Sequence, residues 1–381
     1  MPITSFDFEQ SRFLHFNSGH PRIYFTSSIP LSEKDILTWT EEGFSPQYLP
    51  YDPAEKDNYI RALKSLHENL ALGDNYALIA YGDAASVVLK AAQKPLVKCC
   101  AIIAYYPTQV PDPKIKYPNA QALQIHAAGL SPGSAGARAH MYEWSLYQHE
   151  KCSPGFAEPV SKTYKQIEAD LACARSLACI RKGFNRHLDL EPLVQGLWDA
   201  KYTDDVPERA SMTMVKGMSQ NSPHVTIFPT LEGGIGRKKL EEFYREFFVP
   251  SLVEDFDIRL ISRSVGVIRV VDEMLVSFTH DDEVDWILPG VPPTEKFVQI
   301  PMVSIVAVVG GRLVSEHMYW DQASVLMQVG LLDPKLVPRH LKSKGLKKLP
   351  VAGAEAAKQL IEPQQQRYNK LLQDHGLLNG L

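Results

Sequence analysis

YALIAYGDAASVVLKAA, residues 76–92, joins an apolar run to Gly82 and then passes straight into apolar residues at helical spacing. Strand, tight turn and helix in that order form the frame that presents a nucleophile at the top of many α/β sheets. In that frame the pattern is Gly-x-nucleophile-x-small, which puts Ala84 where Ser or Cys belongs. A methyl group cannot attack a carbonyl. The frame therefore predicts a fold and denies the chemistry that usually accompanies it.

Working outward, the same alternation recurs on both sides. Arg22–Thr26 is a short apolar strand, and Ser32 with Asp35 opens a helix as a variant capping box, closed by Gly43. Phe44–Tyr51 returns as a strand, and Asp57–Leu72 is amphipathic. Cys99–Tyr106 and Ala120–His126 are continuous apolar runs of strand length, the kind buried on both faces of a sheet. Tyr142–His149 is a further strand, and Val160–Lys182 a long amphipathic helix. The order predicts a mainly parallel sheet with helices on both faces.

From Phe184 the pattern changes. Leu190–Ala200 is helical, Ser211–Met214 is irregular, and His224–Pro229 is a short strand. Gly233–Gly236 is expected as a tight loop before a helix over Lys238–Phe248; no Lys-Ser/Thr follows, so it is no phosphate loop. Long strands follow over Arg259–Val271 and Met274–His280, with a hairpin turn expected at Asp272-Glu273. Phe297–Val309 and Arg312–Gln322 flank a second turn at Gly310-Gly311. Helices followed by a long antiparallel sheet predict an α+β cone, a curved sheet wrapped around helices.

Bulk properties narrow the field. The chain has 381 residues, 45% of them apolar and 22% charged, with a net charge of −4. Two domains are expected, and neither nucleic acid nor an anionic membrane as partner. The N-terminal segment has acidic residues and no apolar signal core. Five cysteines, odd in number and without metal-binding spacing, fit reduced thiols in the cytoplasm better than a disulfide scaffold. The acidic run Asp281–Asp285 lacks the spacing and the glycine of a calcium loop, so no metal is expected.

Two family resemblances emerge. Residues 1–183 resemble a shortened dienelactone hydrolase, an α/β-hydrolase relative. The family's Gly-x-Cys-x-Gly falls on Gly82-Asp83-Ala84-Ala85-Ser86. Its catalytic Asp falls near Gly129-Leu-Ser-Pro132, where no Asp stands, and its His-Gly-Phe falls on Pro154-Gly155-Phe156. The resemblance thus implies a hydrolase whose triad is lost, with Ala84 and Pro154 at two of the positions. Residues 184–340 resemble the SnoaL-like polyketide cyclases of the nuclear-transport-factor-like cone fold. The likeness rests on Pro289–Thr294, on Gly310–His317, and on Trp320-Asp321-Gln322 leading to Leu326–Leu332. The pairing resembles fungal proteins labelled carboxymethylenebutenolidase. Residues 341–381 form a basic, then helical, tail.

The second resemblance implies a cofactor-independent cyclase or isomerase acting on a bulky apolar carbonyl compound. Asp321 matches the family's general acid/base and His280 a family histidine ahead of the Pro-Pro-Thr loop. Alternation along the last strand places Ser315, His317, Tyr319 and Asp321 on one face, and Val314, Glu316, Met318 and Trp320 on the other. With the first set facing inward, Asp321, His280, His317 and Tyr319 are the expected catalytic groups, and Trp286, Phe278, Trp320 and Asp285 the substrate contacts. Asp321 also stands where the N-cap of the next helix belongs, which leaves a purely structural role open. The alternatives are a non-catalytic binding or assembly protein, and a hydrolase with an unconventional nucleophile. A homodimer is expected on fold analogy.

Overall fold

The computed structural model describes residues 20–30, 32–112, 114–118, 122–129, 144–364 and 368–371, without the side chains of residues 33–35. The capping role of Asp35, the segment 130–132 and most of the tail beyond residue 364 lie outside that description. The chain divides into two compact units, Met1–Leu188 and Asp189–Leu381. Among the described residues no helix is long and apolar enough to cross a membrane.

The first unit is a six-stranded sheet, β1 (Arg22–Ser27), β2 (Ser45–Pro50), β3 (Tyr76–Tyr81), β4 (Cys99–Tyr105), β5 (Ala122–Ala128) and β6 (Ser145–His149), all parallel in the order β2-β1-β3-β4-β5-β6. Its helices are α1 (Glu33–Glu41), α2 (Lys56–Ser65), α3 (Gly82–Ala91) and α4 (Gln166–Gly183). Side chains alternate across the sheet. Tyr76, Leu78, Ala80, Ile102, Ala104, Leu123 and Ile125 meet α2 and α3. On the opposite face Gly183 of α4 lies so close that a Cβ there would sit 2.7 Å from the Cys100 carbonyl oxygen. Both faces are covered, which is why β4 is apolar and buried throughout.

The junction after β3 differs from the expectation. The positive φ, +56°, falls on Gly82, and Ala84 is a buried residue inside the first turn of α3. The tight turn thus centres two residues before the position assigned from sequence. Glycine suits that turn because it adopts a positive φ without steric cost. Pro154 stands in an exposed loop after β6, its carbonyl accepting from Thr163 Oγ1 (2.7 Å).

Near the C-terminal ends of the strands the register aligns Tyr81, Tyr105, His126 and Tyr147 side by side. Successive rings stack at 5.0, 4.8 and 5.5 Å, and the Arg175 guanidinium lies 4.2 Å from the Tyr147 ring centre. His126 is fully buried. Its Nε2–H points to the Gln124 side-chain carbonyl (2.6 Å) near Ser176 Oγ (3.1 Å), and its Nδ1 lies 3.0 Å from His149 Nε2. Ser176 also meets Tyr105 OH (2.8 Å). The cluster is closed on itself, and Ser176, wholly buried, offers no exposed hydroxyl.

The second unit is a six-stranded sheet with helices on it. Its elements are α5 (Glu191–Tyr202), α6 (Pro207–Lys216), β7 (His224–Ile227), β8 (Glu232–Ile235), α7 (Arg237–Phe243), β9 (Asp257–Val265), β10 (Arg269–Thr279), β11 (Phe297–Val309), β12 (Arg312–Trp320), α8 (Gln322–Gln328), α9 (Arg339–Lys342) and α10 (Glu355–Ile361). The order is β8-β7-β12-β11-β10-β9, antiparallel except for β7 beside β12. The tail returns to this unit: Gly353 N donates to Ser324 Oγ (2.9 Å), and Ala357 of α10 is buried.

Several local expectations change here. Ser211–Met214 lies inside α6, which buries Ala210, Ser211, Met214 and Val215. Gly233 and Gly234 belong to β8 rather than to a loop; a Cβ on Gly233 would stand 2.2 Å from the Val225 carbonyl oxygen, so close backbone pairing requires glycine there. The β9–β10 turn is at residues 266–268, not at Asp272-Glu273. Those two acids lie inside β10, beside a register shift between Glu273 and Met274. Asp272 faces inward and is held by Arg263, its cross-strand partner, at 2.7 and 2.9 Å.

The His126 cluster makes the first unit sensitive to acid. Burial holds both His126 and His149 below the ordinary histidine range. The folded state keeps them neutral, while the unfolded chain takes up a proton below about pH 6.5. Their contribution is therefore present above that pH and is lost as pH falls, at no more than about 1.4 kcal/mol per pH unit for each proton. Thermal melts between pH 7.5 and 5.5 should show the first unit losing stability on acidification, and His126→Gln should flatten that dependence. Equal slopes in both proteins would exclude His126 as the source.

Candidate functional site

Helix α5 carries Val194, Leu197, Trp198, Lys201 and Tyr202, spaced to lie on one helical face. A lysine within such a stripe is buried only if something compensates its charge. The register of the sheet supplies the partner. Across β10, β11 and β12 one inward row is Asp272, Ser304 and Met318, and the next is Val270, Val306 and Glu316. Lys201 Nζ lies 2.7 Å from Glu316 Oε1 and 3.2 Å from Met318 Sδ. Ser304 Oγ donates to the same Glu316 oxygen (3.0 Å), and Tyr244 OH reaches Oε2 at 3.5 Å. Tyr244 is brought inward where α7 continues as a π-helical turn over Tyr244–Phe248.

A second ion pair flanks the first. Arg263 grips Asp272 with two hydrogen bonds and extends its other nitrogen to Gln195 Oε1 (2.8 Å) on α5. Between the pairs lies a cavity of about 20 Å³, enough for a water molecule. Trp198, Lys201, Tyr202, Asp272, Ser304 and Glu316 line its polar part, with Leu197, Met214, Val306 and Leu313 as apolar wall. Trp198 Nε1 and Tyr202 OH are buried and have no hydrogen-bond partner within the protein. Burial, with Glu316 next in weight, holds the Tyr202 and Tyr244 hydroxyls far above the ordinary tyrosine range, so both remain O–H donors. The arrangement thus combines a buried carboxylate with two donors that no protein atom satisfies. Such a set can receive a proton and hold an oxygen that gains negative charge.

An aromatic column leads away from this point. Trp198 packs on Tyr202 (5.3 Å), Tyr202 on Phe248 and Phe256 (5.8 and 6.2 Å), and Trp286 on Phe248 and Phe256 (4.8 and 6.0 Å). Trp286 then meets Trp320 edge-on at 5.7 Å, and Phe278 joins through Phe256 at 6.1 Å. The expected wall residues Trp286, Phe278 and Trp320 are therefore part of one interior column.

The expected catalytic residues are not gathered there. Asp321 caps α8: its Oδ1 accepts from Ala323 N (3.0 Å) and its Oδ2 from Ser324 Oγ (2.5 Å). His317 and Tyr319 face the other side of the sheet, where Phe228 stacks on Tyr319 (4.7 Å) and meets His317 edge-on (5.2 Å). The inward face of β12 is that of Glu316, Met318 and Trp320, the reverse of the expected assignment. His280 is fully buried; its Nδ1 pairs with Thr294 Oγ1 (3.0 Å) and its Nε2 has no protein partner. Burial lowers the proton affinity of both His280 and His317. Asp285 ties its own loop by accepting from Gly290 N (3.0 Å). Among the described residues no three His, Cys, Asp or Glu side chains converge as a metal site.

No protein-family model matches the sequence, and no curated protein matches it. Solved structures of SnoaL-like and nuclear-transport-factor-like proteins match part of the chain. A proposed SnoaL-like polyketide cyclase from Jannaschia sp. CCS1 is 14% identical, with a TM-score of 0.32, over 38% of this chain and 93% of that one. TsrD from Streptomyces laurentii is 17% identical with a TM-score of 0.31, over 38% and 100%. IdmH, a proposed polyketide cyclase from Streptomyces antibioticus, is 18% identical with a TM-score of 0.30, over 38% and 99%.

The Lys201–Glu316 pair is open to a direct test. Lys201→Met leaves a buried carboxylate without its cation and should cost about 3–5 kcal/mol. Adding Glu316→Leu should recover most of that loss, so unfolding of the two single variants and the double variant will be strongly non-additive. Additive effects would mean that the two side chains do not depend on each other.

Proposed function

We propose that the second unit binds a small apolar carbonyl compound in its interior and moves a proton on it, the cofactor-independent chemistry of a cyclase or isomerase. Glu316 takes the role first expected of Asp321. The carboxylate accepts a proton from carbon next to the carbonyl, and Tyr202 OH and Trp198 Nε1 donate to the oxygen as it becomes an enolate. Lys201 holds the Glu316 side chain in place through their 2.7 Å contact. The aromatic column from Tyr202 to Trp286 contacts the apolar body of the compound. The step asks for no metal or redox centre, since a proton is both removed and returned.

The observation that carries this reading is the pair of buried donors, Trp198 Nε1 and Tyr202 OH, left without a protein acceptor beside a buried carboxylate. Buried donors that the protein itself leaves unpaired are met by water or by a ligand, and a ligand oxygen that displaces the water meets them in its place. For the first unit a scaffold role is favoured: Gly82 and Ala84 offer no nucleophile at the strand–helix turn. A second reading of the second unit, a non-catalytic binding or assembly protein whose cone is filled by its own side chains, is favoured by the cavity's modest size of about 20 Å³.

The test is metabolite mass spectrometry on cells lacking the gene and complemented with variants. Wild type and Asp321→Asn should restore the missing product, whereas Glu316→Gln should leave its isomer, or a hydrated or dehydrated form, accumulated. Tyr202→Phe supplies the control for folding. Its hydroxyl has no protein partner to lose, so thermal stability should change by less than about 1 kcal/mol while product formation falls roughly tenfold or more. Full restoration by both Glu316→Gln and Tyr202→Phe would place the chemistry elsewhere. Restoration failing with Asp321→Asn alone would return the role to Asp321.

A further inference from the structure

The outer face of the second sheet, opposite the interior site, carries a pair of histidines that the acid–base reading does not use. His224 stands on β7 and His317 on the adjacent parallel strand β12, where the register pairs His224 with Ser315 and Thr226 with His317. The two rings are therefore diagonal neighbours on one face. Their Nε2 atoms are 3.4 Å apart, and both side chains are only partly buried. Within the protein the two rings meet as a long N–H···N hydrogen bond. A tetrahedral ion bound at 2.0–2.1 Å by two nitrogens holds them about 3.3–3.4 Å apart. The same separation also fits a two-nitrogen chelate, so an ion replaces the shared proton with little movement of either ring. The rings are also braced: Phe228 meets His317 edge-on at 5.2 Å with an interplanar angle of 89°, and itself stacks on Tyr319.

We propose that His224 and His317 form a two-histidine site for a late first-row divalent ion, zinc, nickel or copper, bound through the two Nε2 atoms. Imidazole pairs suit these ions and not magnesium or calcium. Among the described residues no third His, Cys, Asp or Glu completes the set. Water or a small exogenous donor fills the remaining positions, so the ion exchanges more readily than in a closed structural site. Because the ligands sit on two different strands, the ion clips β7, and with it the β7–β8 hairpin, to β12. The site is independent of the chemistry proposed for the interior.

The test uses the full-length chain without an affinity tag. Titration with zinc chloride and with copper sulfate should show one strong equivalent, and saturating zinc should raise the melting temperature. Electron paramagnetic resonance of the copper form should report two imidazole nitrogens. His224→Gln and His317→Gln should each weaken binding roughly tenfold or more and reduce the copper signal to one nitrogen. His340→Gln, on α9, should leave both unchanged. Circular dichroism of each metal-free variant checks that the fold persists. Binding unaffected by either His224→Gln or His317→Gln, or a wild-type copper signal with a single nitrogen, overturns the proposal.

Discussion

The second unit depends on one buried interaction, the contact of Lys201 with Glu316. A helix and a strand each bring a charge into an apolar interior, and neither charge is tolerable there alone. Their pairing fixes the rotation of α5 and the face that β12 turns inward. Once those are set, Trp198 and Tyr202 must lie over the same cavity, and Ser304 and Met318 must close it from the sheet. The Arg263–Asp272 pair repeats the device across β9 and β10 and reaches α5 through Gln195. Replacing either pair by apolar residues of similar volume is often neutral or favourable for stability. Two such pairs beside donors without protein partners therefore point to what the interior holds rather than to how firmly it folds.

Each unit buries a cluster of polar groups. In the first, His126 is buried among partners that use both ring nitrogens, and Ser176 serves Tyr105 and His126 together. The stacked rings from Tyr81 to Tyr147 line the strand ends, the region where open α/β sheets ordinarily receive ligands, yet the His126 hydrogen bonds close inward. In the second unit Trp198 and Tyr202 line the cavity with Glu316, and Trp198 Nε1 and Tyr202 OH have no protein partner.

The elements were legible where apolar runs were continuous. Cys99–Tyr105 is apolar and buried along its whole length, and Phe297–Val309 buries every second residue over most of its length, the period of a strand with one covered face. Asp272-Glu273 reads as a turn because a buried carboxylate with a cross-strand arginine looks, in sequence, like a polar turn. Gly233 reads as a loop residue because the close approach of Val225 is invisible without pairing. The larger error concerned β12, where period-two alternation gives two faces and no label for which is inside. His317, Tyr319 and Asp321 drew attention as chemistry. Yet Met318 and Trp320, the more apolar pair, share their face with Glu316, and that was the signal for the interior. Lys201 carried a signal too, as a lone cation in an otherwise apolar and aromatic helical stripe.

The most direct measurement follows the indole N–H of Trp198 by ¹⁵N–¹H nuclear magnetic resonance while a naphthol is added. A naphthol presents an enolate-like oxygen on a flat apolar frame and matches the proposed transition state in both respects. Five tryptophans give a spectrum simple enough to assign by substitution. The account predicts a saturable downfield shift of the Trp198 indole proton as it donates to the ligand oxygen, with a smaller response in Tyr202→Phe. A folded protein whose Trp198 signal stays fixed up to the solubility limit of the naphthol would contradict it.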